Sequence, residues 1–296
     1  SLRRRQRQMC IRDREYTEEK RGEQMKIVRT LMVYLLLGIS IFAQEAYVAS
    51  FNTLRLGKNE KDYELTAKIL AGFDLVGLIE VMNQEGVEDL VTALEKVTNT
   101  KWSYHISPYP VGKSSYKEYF AYVWKDDRVT PLKVRGYYPN EDKIFSRPPY
   151  GADFKIDNID FTFVLAHSIF GKTEKVRRRE AFRIEEVYEY FQDLDPIEND
   201  VIIAGDFNLS ALDEAFENFL KHRDEITYTL DPRIKTTLGA SKLASSYDNM
   251  FISKKYTGEF EGKSGAVDFT KENYKMMKKR VSDHLPCLLY TSDAAD

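Results

Sequence analysis

The chain has 296 residues, of which 43% are hydrophobic and 13% are aromatic. This composition supports a core for one large domain or two small ones, and it excludes disordered and fibrous proteins. The formal net charge is −3, but residues 1–24 carry +3 and residues 25–43 carry +2, which leaves −8 on the remainder. Such an acidic body would not bind nucleic acid through bulk electrostatics, so local cations or a metal would have to hold a nucleic-acid partner.

Residues Met25 to Ala43 have a short basic start, an apolar run and a small residue at the end. This pattern is typical of a secretory signal peptide that is cleaved after Ala43. The alternative is a membrane anchor, but the apolar run from Leu31 is shorter than the about 20 residues that span a bilayer. We therefore expect a secreted or periplasmic protein with no stable membrane association after cleavage.

Both ends of the chain resemble translated sequencing-adapter read-through, in R-R-R-Q-R-Q-M-C-I-R-D-R and L-L-Y-T-S-D-A-A-D. Cys10 lies within the first end and Cys287 borders the second, so no internal disulfide is expected. The last strand, which begins at Leu285, is expected to be cut short or replaced. The sequence predicts four segments: a non-native stretch at residues 1–24, a signal peptide at residues 25–43, a single domain at residues 44–287 and a non-native tail at residues 288–296.

The body of the chain alternates between short apolar strands and amphipathic helices, without an internal repeat or a low-complexity linker. The predicted strands are residues 46–54, 74–81, 104–110, 119–124, 129–138, 151–156, 159–166, 201–204, 247–252 and a last strand from residue 285. The predicted helices are residues 60–71, 84–97, 173–194, 212–221 and 271–280. Most polar candidates lie where a strand ends, which predicts packed sheets with helices outside and one functional edge.

One such strand end is the segment D-V-I-I-A-G-D-F-N-L-S, residues 200–210. Val201 to Ala204 predict a buried strand, and Gly205 lets the backbone turn so that Asp206 and Asn208 project beyond it. Their oxygens suit a divalent cation or a phosphate-bound water. The alternative is an Asx-turn that only caps the strand.

Carboxylates and histidines recur at other strand ends. Carboxylates from different strands, with no thiols nearby in sequence, favour a hard oxygen-bound ion such as Mg²⁺ or Mn²⁺ over a structural zinc. A single strand-end histidine is more often a surface or core-edge residue, but His167 and His284 each have a candidate carboxylate that could fix the tautomer. The candidate residues are Asn52, Glu80, Glu118, His167, Asp206, Asn208, Asp248, Asp283 and His284.

The chain resembles the endonuclease/exonuclease/phosphatase superfamily in six segments, which in order are S-F-N-T-L-R, G-L-I-E-V, V-L-A-H-S, A-G-D-F-N, S-Y-D-N and V-S-D-H-L-P. Two further segments, V-G-K-S-S-Y-K-E-Y and I-F-S-R-P-P, are similar to the pancreatic-type deoxyribonuclease branch. The resemblance covers residues 46–286. It implies an α/β fold, a four-layer α/β/β/α sandwich of two mixed, mainly antiparallel β-sheets flanked by helices.

The resemblance also implies where a metal and the scissile phosphate would bind. Glu80 would be the principal metal ligand, with Asn52 beside it. Asp206, Asn208 and Asp283 would line the phosphate, and Asp283 is also expected to bind a cation. Mg²⁺ is the expected cofactor and Mn²⁺ the alternative, while dependence on Ca²⁺ stays open.

Two histidine pairs carry the implied acid and base roles. His284 with Asp248 resembles the general base that activates water. His167 with Glu118 resembles the general acid that protonates the leaving 3′ oxygen. Hydrolysis of a phosphodiester needs both functions, together with cationic stabilisation of the charge that builds up on phosphate.

Three residues are expected to contact DNA by the same resemblance. Tyr116 and Arg147 match positions that contact the DNA backbone, and Lys113 would approach the backbone or the minor groove. The alternatives are that Tyr116 packs on its own loop, that Arg147 is solvated and that Lys113 is an ordinary surface lysine. Met82 replaces an arginine that the branch carries two residues after its metal-binding glutamate, which leaves affinity and sequence preference open.

These observations predict a secreted, monomeric, Mg²⁺-dependent endonuclease that cuts DNA with little sequence preference and leaves 5′-phosphate ends. One alternative is another hydrolase of the superfamily, a phosphatase or phospholipase-type phosphodiesterase that acts on inositol phosphates or sphingomyelin. The two branch-level segments argue against that alternative. An inactive binding module is a further alternative, and it would be expected to have lost at least one of Glu80, His167, Asp206 and His284.

Overall fold

Strands with two buried faces form the centre of the fold, because their side chains alternate between two apolar layers. In the strand Leu75–Val81, Leu75 and Ile79 face one layer, whereas Val76 and Leu78 face another. The computed structural model describes residues 45–292 apart from residues 59, 114–115, 196–198 and 259. These described residues belong to one compact unit.

The ten predicted strands are present with changes at their ends, and three further strands, Val111–Lys113, Ile226–Tyr228 and Phe260–Ala266, were not predicted. In chain order, the strands are β1 (Glu45–Leu56), β2 (Leu75–Val81), β3 (Trp102–Ile106), β4 (Val111–Lys113), β5 (Tyr116–Lys125), β6 (Val129–Tyr137), β7 (Tyr150–Ile156), β8 (Ile159–His167), β9 (Val201–Asp206), β10 (Ile226–Tyr228), β11 (Asp248–Ser253), β12 (Phe260–Ala266) and β13 (Cys287–Ser292). Within the described residues, one sheet has the order β12-β13-β1-β2-β5-β3 with β4 beside β5, and the other has the order β10-β11-β9-β8-β7-β6. The pairs β1/β2 and β8/β9 are parallel and the other pairs are antiparallel.

The helices lie outside the two sheets. They are α1 (Tyr63–Leu70), α2 (Gln84–Thr98), α3 (Glu174–Ala181), α4 (Ile184–Asp193), α5 (Glu217–Leu220) and α6 (Tyr274–Arg280). The predicted helix at residues 173–194 is wrong as one element, because the chain leaves the helix at Phe182 and Arg183 and starts again as α4. The predicted helix at residues 212–221 is instead a 3₁₀ turn, Glu214–Phe216, followed by the single turn α5.

Three apolar clusters separate the layers. Phe120 and Tyr122 from one sheet pack against Phe163 and Leu165 from the other. A second cluster lies between the first sheet and helices α1, α2 and α6, and a third lies between the second sheet and helix α4. The predicted four-layer α/β/β/α sandwich of two mixed, mainly antiparallel sheets is therefore confirmed.

The structure describes the C-terminal end of the chain in part and does not describe the N-terminal end. Residues 1–24 and the signal-peptide prediction at residues 25–43 lie outside the described residues. The predicted domain end at residue 287 falls at the start of β13, and Leu288 to Thr291 continue that strand between β1 and β12. Cys287 is buried and unpaired in this strand. No helix in the described part of the chain is long and apolar enough to cross a membrane.

Leu165 lies at the contact between the two sheets, so truncation of its side chain should strongly destabilise the protein. Its side chain packs on Gly77 of the facing sheet, where a Cβ atom would lie 2.3 Å from Leu165 Cδ2. We expect Leu165→Ala to lower the free energy of unfolding by about 2–5 kcal/mol, since a buried cavity forms. Leu212→Ala is the control at an exposed leucine and should change it by about 0.5 kcal/mol or less. Urea unfolding measures both, and equal effects would contradict this packing.

Candidate active site

The register of three neighbouring strands brings the candidate side chains together. His167 at the end of β8 pairs with Asp206 at the end of β9, and Asp206 pairs with Asp248 at the start of β11. The polar side chains of these residues are buried. Gly205 permits the close approach of β8 and β9, because its φ is +149° and a Cβ atom would lie 1.8 Å from the Ala166 carbonyl oxygen. The predicted functional edge is thus an edge of the second sheet that faces strand ends of the first.

His167 forms a buried pair with Glu118. Its Nδ1 lies 2.6 Å from Glu118 Oε1, and its Nε2 lies 3.7 Å from Asp206 Oδ2 and 4.0 Å from Glu80 Oε1. Burial and the Arg147 charge lower the His167 pKa, but the charges of Glu118 and Asp206 and the hydrogen bond to Glu118 leave it above the usual value. The ring therefore turns Nδ1 to Glu118 and Nε2 towards the centre of the site.

His284 forms a second pair with Asp248. Its Nδ1 lies 2.8 Å from Asp248 Oδ2, and its Nε2 lies 3.6 Å from Asp206 Oδ2. Burial lowers the His284 pKa, but the charges of Asp248 and Asp206 outweigh that effect and raise it to about 10. The hydroxyl of Thr236 donates a 2.7 Å hydrogen bond to the same Asp248 oxygen, which fixes the carboxylate. Sequence reasoning missed Thr236, because a threonine 12 residues from its partner carries no local signal.

Asp206 is the carboxylate that both histidines face. Its side chain is 3% exposed, and burial together with the nearby Asp248 charge raises its pKa, against the opposing effect of both histidines. Its Oδ1 accepts the backbone N–H of Asn208 at 2.9 Å, which is an Asx-turn. The turn that was considered as an alternative is therefore present, and it orients Asp206 within the site. Asn208 has φ +53°, and its side-chain amide donates to the Ser168 carbonyl at 2.8 Å.

Glu80 and Asn52 come from the first sheet. Glu80 has φ +59°, and the pairing register shifts beside it between Leu78 and Val81, so an irregular backbone aims its carboxylate into the site. The Asn52 amide nitrogen lies 3.2 Å from both Glu80 Oε1 and Asp206 Oδ2. The Asn52 oxygen accepts the Leu54 N–H at 3.0 Å, so here Asn52 holds two carboxylates as a donor. To bind a metal through its oxygen, as predicted, the amide would have to rotate.

Arg147 is buried beside the His167–Glu118 pair. It is 8% exposed, and its guanidinium donates to the carbonyls of His167 and Ser168, each at 2.9 Å. A third nitrogen lies 3.6 Å from Glu118 Oε2, a buried oxygen that accepts no hydrogen bond. Burial raises the Glu118 pKa, but His167 and Arg147 outweigh it and lower the pKa overall. The geometry makes Arg147 a support for the His167–Glu118 pair. The solvated alternative is wrong, because the side chain is buried, and the contact with the DNA backbone stays a prediction.

Tyr116 and Lys113 belong to a hairpin rather than the predicted loop, since β4 pairs with β5 and Lys113 lies opposite Tyr116. The Tyr116 hydroxyl donates to Glu80 Oε2 at 2.7 Å, and burial together with Glu80 raises its pKa. Lys113 is exposed at the end of β4. Arg55, which sequence reasoning missed, places its guanidinium 5.1 Å from the Tyr116 ring centroid. Tyr116 therefore touches a predicted metal ligand directly.

Asp283 lies at the rim of the site. Its side chain is 23% exposed, and its carboxylate lies 4.0 Å from His284 Nε2 and 3.0 Å from Lys278 Nζ. Lys61 is a further residue that the sequence did not single out. Its ammonium donates to the Val281 carbonyl at 2.6 Å, and burial lowers its pKa to about 8 against the charges of Asp283 and Glu80.

The donor set suits a hard divalent cation, because several carboxylate oxygens converge. Within the described residues, one group of acidic and histidine side chains has ligand atoms within 4.8 Å of one another, namely Asp206, Asp248 and His284. This group differs from the predicted ligands Glu80, Asn52 and Asp283. Asp248 already accepts hydrogen bonds from His284 and Thr236, whereas Glu80 is more open, with 15% of its side chain exposed.

The endonuclease/exonuclease/phosphatase family model matches residues 49–284 of this chain. The chain belongs to this family. The match takes in all nine strand-end candidates from Asn52 to His284.

The names of individual relatives support the predicted deoxyribonuclease branch of the endonuclease/exonuclease/phosphatase family. A deoxyribonuclease of Thioalkalivibrio sp. (strain K90mix) is 29% identical over 254 residues, which cover 81% of this chain and 69% of that protein. Deoxyribonuclease-1-like 1 of Sus scrofa is 25% identical over 273 residues, with 86% and 84% covered. The structure of D. rerio TDP2 with a single-strand DNA product has a TM-score of 0.60 at 14% identity, with 83% of this chain and 98% of that chain covered, and it supports the fold.

The buried His167–Glu118 pair predicts a pKa change on mutation. Glu118→Gln removes a negative charge but keeps the burial and Arg147, both of which lower the His167 pKa. We expect the His167 pKa to fall in Glu118→Gln relative to the parent protein. Histidine NMR titration of metal-free protein measures this, and Glu88→Gln at an exposed glutamate is the control. An unchanged or higher His167 pKa in Glu118→Gln would refute the proposed coupling.

Proposed function

We propose that this member of the endonuclease/exonuclease/phosphatase family is a secreted, Mg²⁺-dependent endonuclease. It would hydrolyse DNA phosphodiester bonds with low sequence specificity and leave 5′-phosphate ends. We base the chemistry on one observation: two buried histidine–carboxylate pairs present their Nε2 atoms to the same carboxylate, Asp206, at 3.6 and 3.7 Å. The deoxyribonuclease relatives support DNA as the substrate.

The two pairs suit opposite proton transfers. In our proposal, His167 carries a proton on Nε2 and gives it to the leaving 3′ oxygen, while Glu118 holds Nδ1 and stabilises the charged ring. His284 takes a proton from the attacking water, with Asp248 on its Nδ1. Acid and base catalysis each contribute on the order of 10²- to 10⁴-fold.

The raised pKa of His284 explains why this site would need a cation. At a pKa of about 10, the imidazole is protonated near neutral pH and cannot accept a proton. Glu80, Asp206 and Asp283 would hold Mg²⁺, whose charge offsets these carboxylates, lowers the His284 pKa and stabilises negative charge on the phosphate. Mn²⁺ offers the same oxygen-ligand chemistry.

Asn208 and Tyr116 would position these groups. Asn208 ties the Asp206 strand end to Ser168, next to the acid His167. Tyr116 holds Glu80, and exposed Lys113 on the same hairpin would meet the DNA backbone. Arg147 supports the acid pair from behind. In our proposal, Tyr116 and Lys113 lie closer to the bound DNA than Asn208 and Arg147 do.

Export from the cell rests on residues 25–43, whose signal-peptide pattern supports a secreted or periplasmic location. We also propose that the protein acts as a monomer, because all of the proposed acid, base and metal groups come from one chain. Inositol phosphate or sphingomyelin hydrolysis would use the same centre, so substrate choice needs a direct test. An inactive module is disfavoured, since Glu80, His167, Asp206 and His284 are assembled within one site.

The test is nicking of supercoiled plasmid by the purified protein in Mg²⁺. We expect nicking that EDTA abolishes and that His284→Ala reduces by about 10²- to 10⁴-fold, because the base is lost. His105→Asn is the matched control, since this histidine lies outside the site and bonds the Tyr150 hydroxyl. Intact plasmid with a folded, Mg²⁺-binding protein would reject the nuclease proposal, and release of phosphate from inositol phosphates or cleavage of sphingomyelin would then identify the alternative.

A further inference from the structure

An exposed aromatic ring lies beside the proposed general acid. Phe170 is 57% exposed, although it follows His167 by only three residues. Three residues extend over at most about 11 Å, which corresponds to about three nucleotides at the spacing of stacked bases. The Phe170 ring is therefore close enough to meet a base near the phosphate that His167 would serve.

The backbone that carries Phe170 is fixed on every side. The Ser168 carbonyl accepts hydrogen bonds from Arg147 and Asn208, and the Ile169 N–H donates to the buried Glu180 carboxylate at 2.7 Å. The Phe170 carbonyl accepts a 2.6 Å hydrogen bond from the Arg177 guanidinium. An exposed ring on a backbone held this firmly is preorganised, because little ordering is needed when a ligand binds.

One face of the Phe170 ring is covered by a cation. The Arg177 guanidinium carbon lies 4.1 Å from the ring centroid, and the same guanidinium donates to the Asn208 carbonyl at 3.2 Å and to the Tyr247 hydroxyl at 3.0 Å. Tyr247 directly precedes Asp248, the partner of the proposed base. Phe170 and Arg177 thus form a stacked unit tied to the strand ends of the active site.

The chemistry of this unit suits an unpaired nucleobase. An aromatic side chain with an arginine beside it binds any base by stacking, without reading its edge. Bases in a duplex already stack on both faces, so only an unpaired base offers a free face. Exposed Lys172 and Lys175 follow directly along the chain and supply positive charge for the adjoining phosphates, on a body that is otherwise acidic.

We propose that the Phe170 ring, backed by Arg177, stacks on an unpaired base of single-stranded DNA next to the scissile phosphate. This inference rests on the proposed nuclease function and adds a preference to it. Single-stranded DNA is bound more tightly than duplex DNA of the same length, and Phe170 is the residue that makes the difference. Because stacking precedes the reaction, it lowers KM for the single strand and leaves kcat unchanged.

The experiment compares Phe170→Ala, Phe170→Trp and Phe182→Ala with the parent protein. Phe182→Ala is the matched control at another exposed phenylalanine, 50% exposed at the end of α3. Fluorescence anisotropy in EDTA measures binding of labelled oligothymidylate and of a duplex of equal length, without turnover. Cleavage of both substrates in Mg²⁺ then gives kcat and KM.

For Phe170→Ala, we expect oligothymidylate binding about 5- to 150-fold weaker, a KM raised by a similar factor and little change on the duplex. Phe170→Trp should bind the single strand as well as the parent, and Phe182→Ala should match the parent on both substrates. Equal losses on single strand and duplex, or no loss on the single strand, would overturn the stacking proposal. Failure of the parent protein to cut either DNA would instead reject the nuclease function on which the proposal rests.

Discussion

The structure depends on one buried carboxylate, Asp206, held between two histidines. A buried charge without partners is costly, so Asp206 requires the hydrogen bond from Asn208 and the nearby His167 and His284 rings. The register of β8, β9 and β11 creates this arrangement, because neighbouring strands set His167, Asp206 and Asp248 side by side. The close approach of β8 to Gly205 and the Asx-turn after Asp206 both serve the same constraint.

The two histidines have the same orientation, but the charged residues around them differ. Each ring turns Nδ1 towards its own carboxylate and Nε2 towards Asp206, which fixes the proton positions on both rings. Arg147 lies behind His167 and opposes its protonation, whereas the charges of Asp248, Asp206 and Asp283 favour protonation of His284. A divalent cation at Glu80 and Asp206 would change this balance, so in our proposal the metal and the two histidine–carboxylate pairs would act as one electrostatic unit.

Much of the fold could be predicted from the sequence, and the structure brings predicted site residues together at one edge of the sheets. Period-two apolar runs located the strands, and polar residues at their ends indicated one functional edge. The prediction of one helix over residues 173–194 was wrong, because the chain leaves the helix at Phe182 and Arg183 without a glycine or proline that would signal the break. Sequence also could not show that Arg147 is buried, that Asn52 faces the carboxylates with its nitrogen, or that Thr236 supports Asp248. Each of these depends on long-range pairing and on backbone irregularity at the site.

The proposed roles of His167 as the acid and His284 as the base are tested most directly with DNA that carries sulfur in place of the 3′ bridging oxygen. A thiolate leaves without protonation, because the thiol pKa of about 8.5 is far below that of an alcohol. We expect His167→Ala to be severely slowed on oxygen-linked DNA and to recover most of the parent rate on the sulfur-linked substrate. His284→Ala should stay slow on both, since water still has to lose its proton. Equal recovery of the two variants, or recovery of neither, would contradict the assignment of His167 as the acid and His284 as the base.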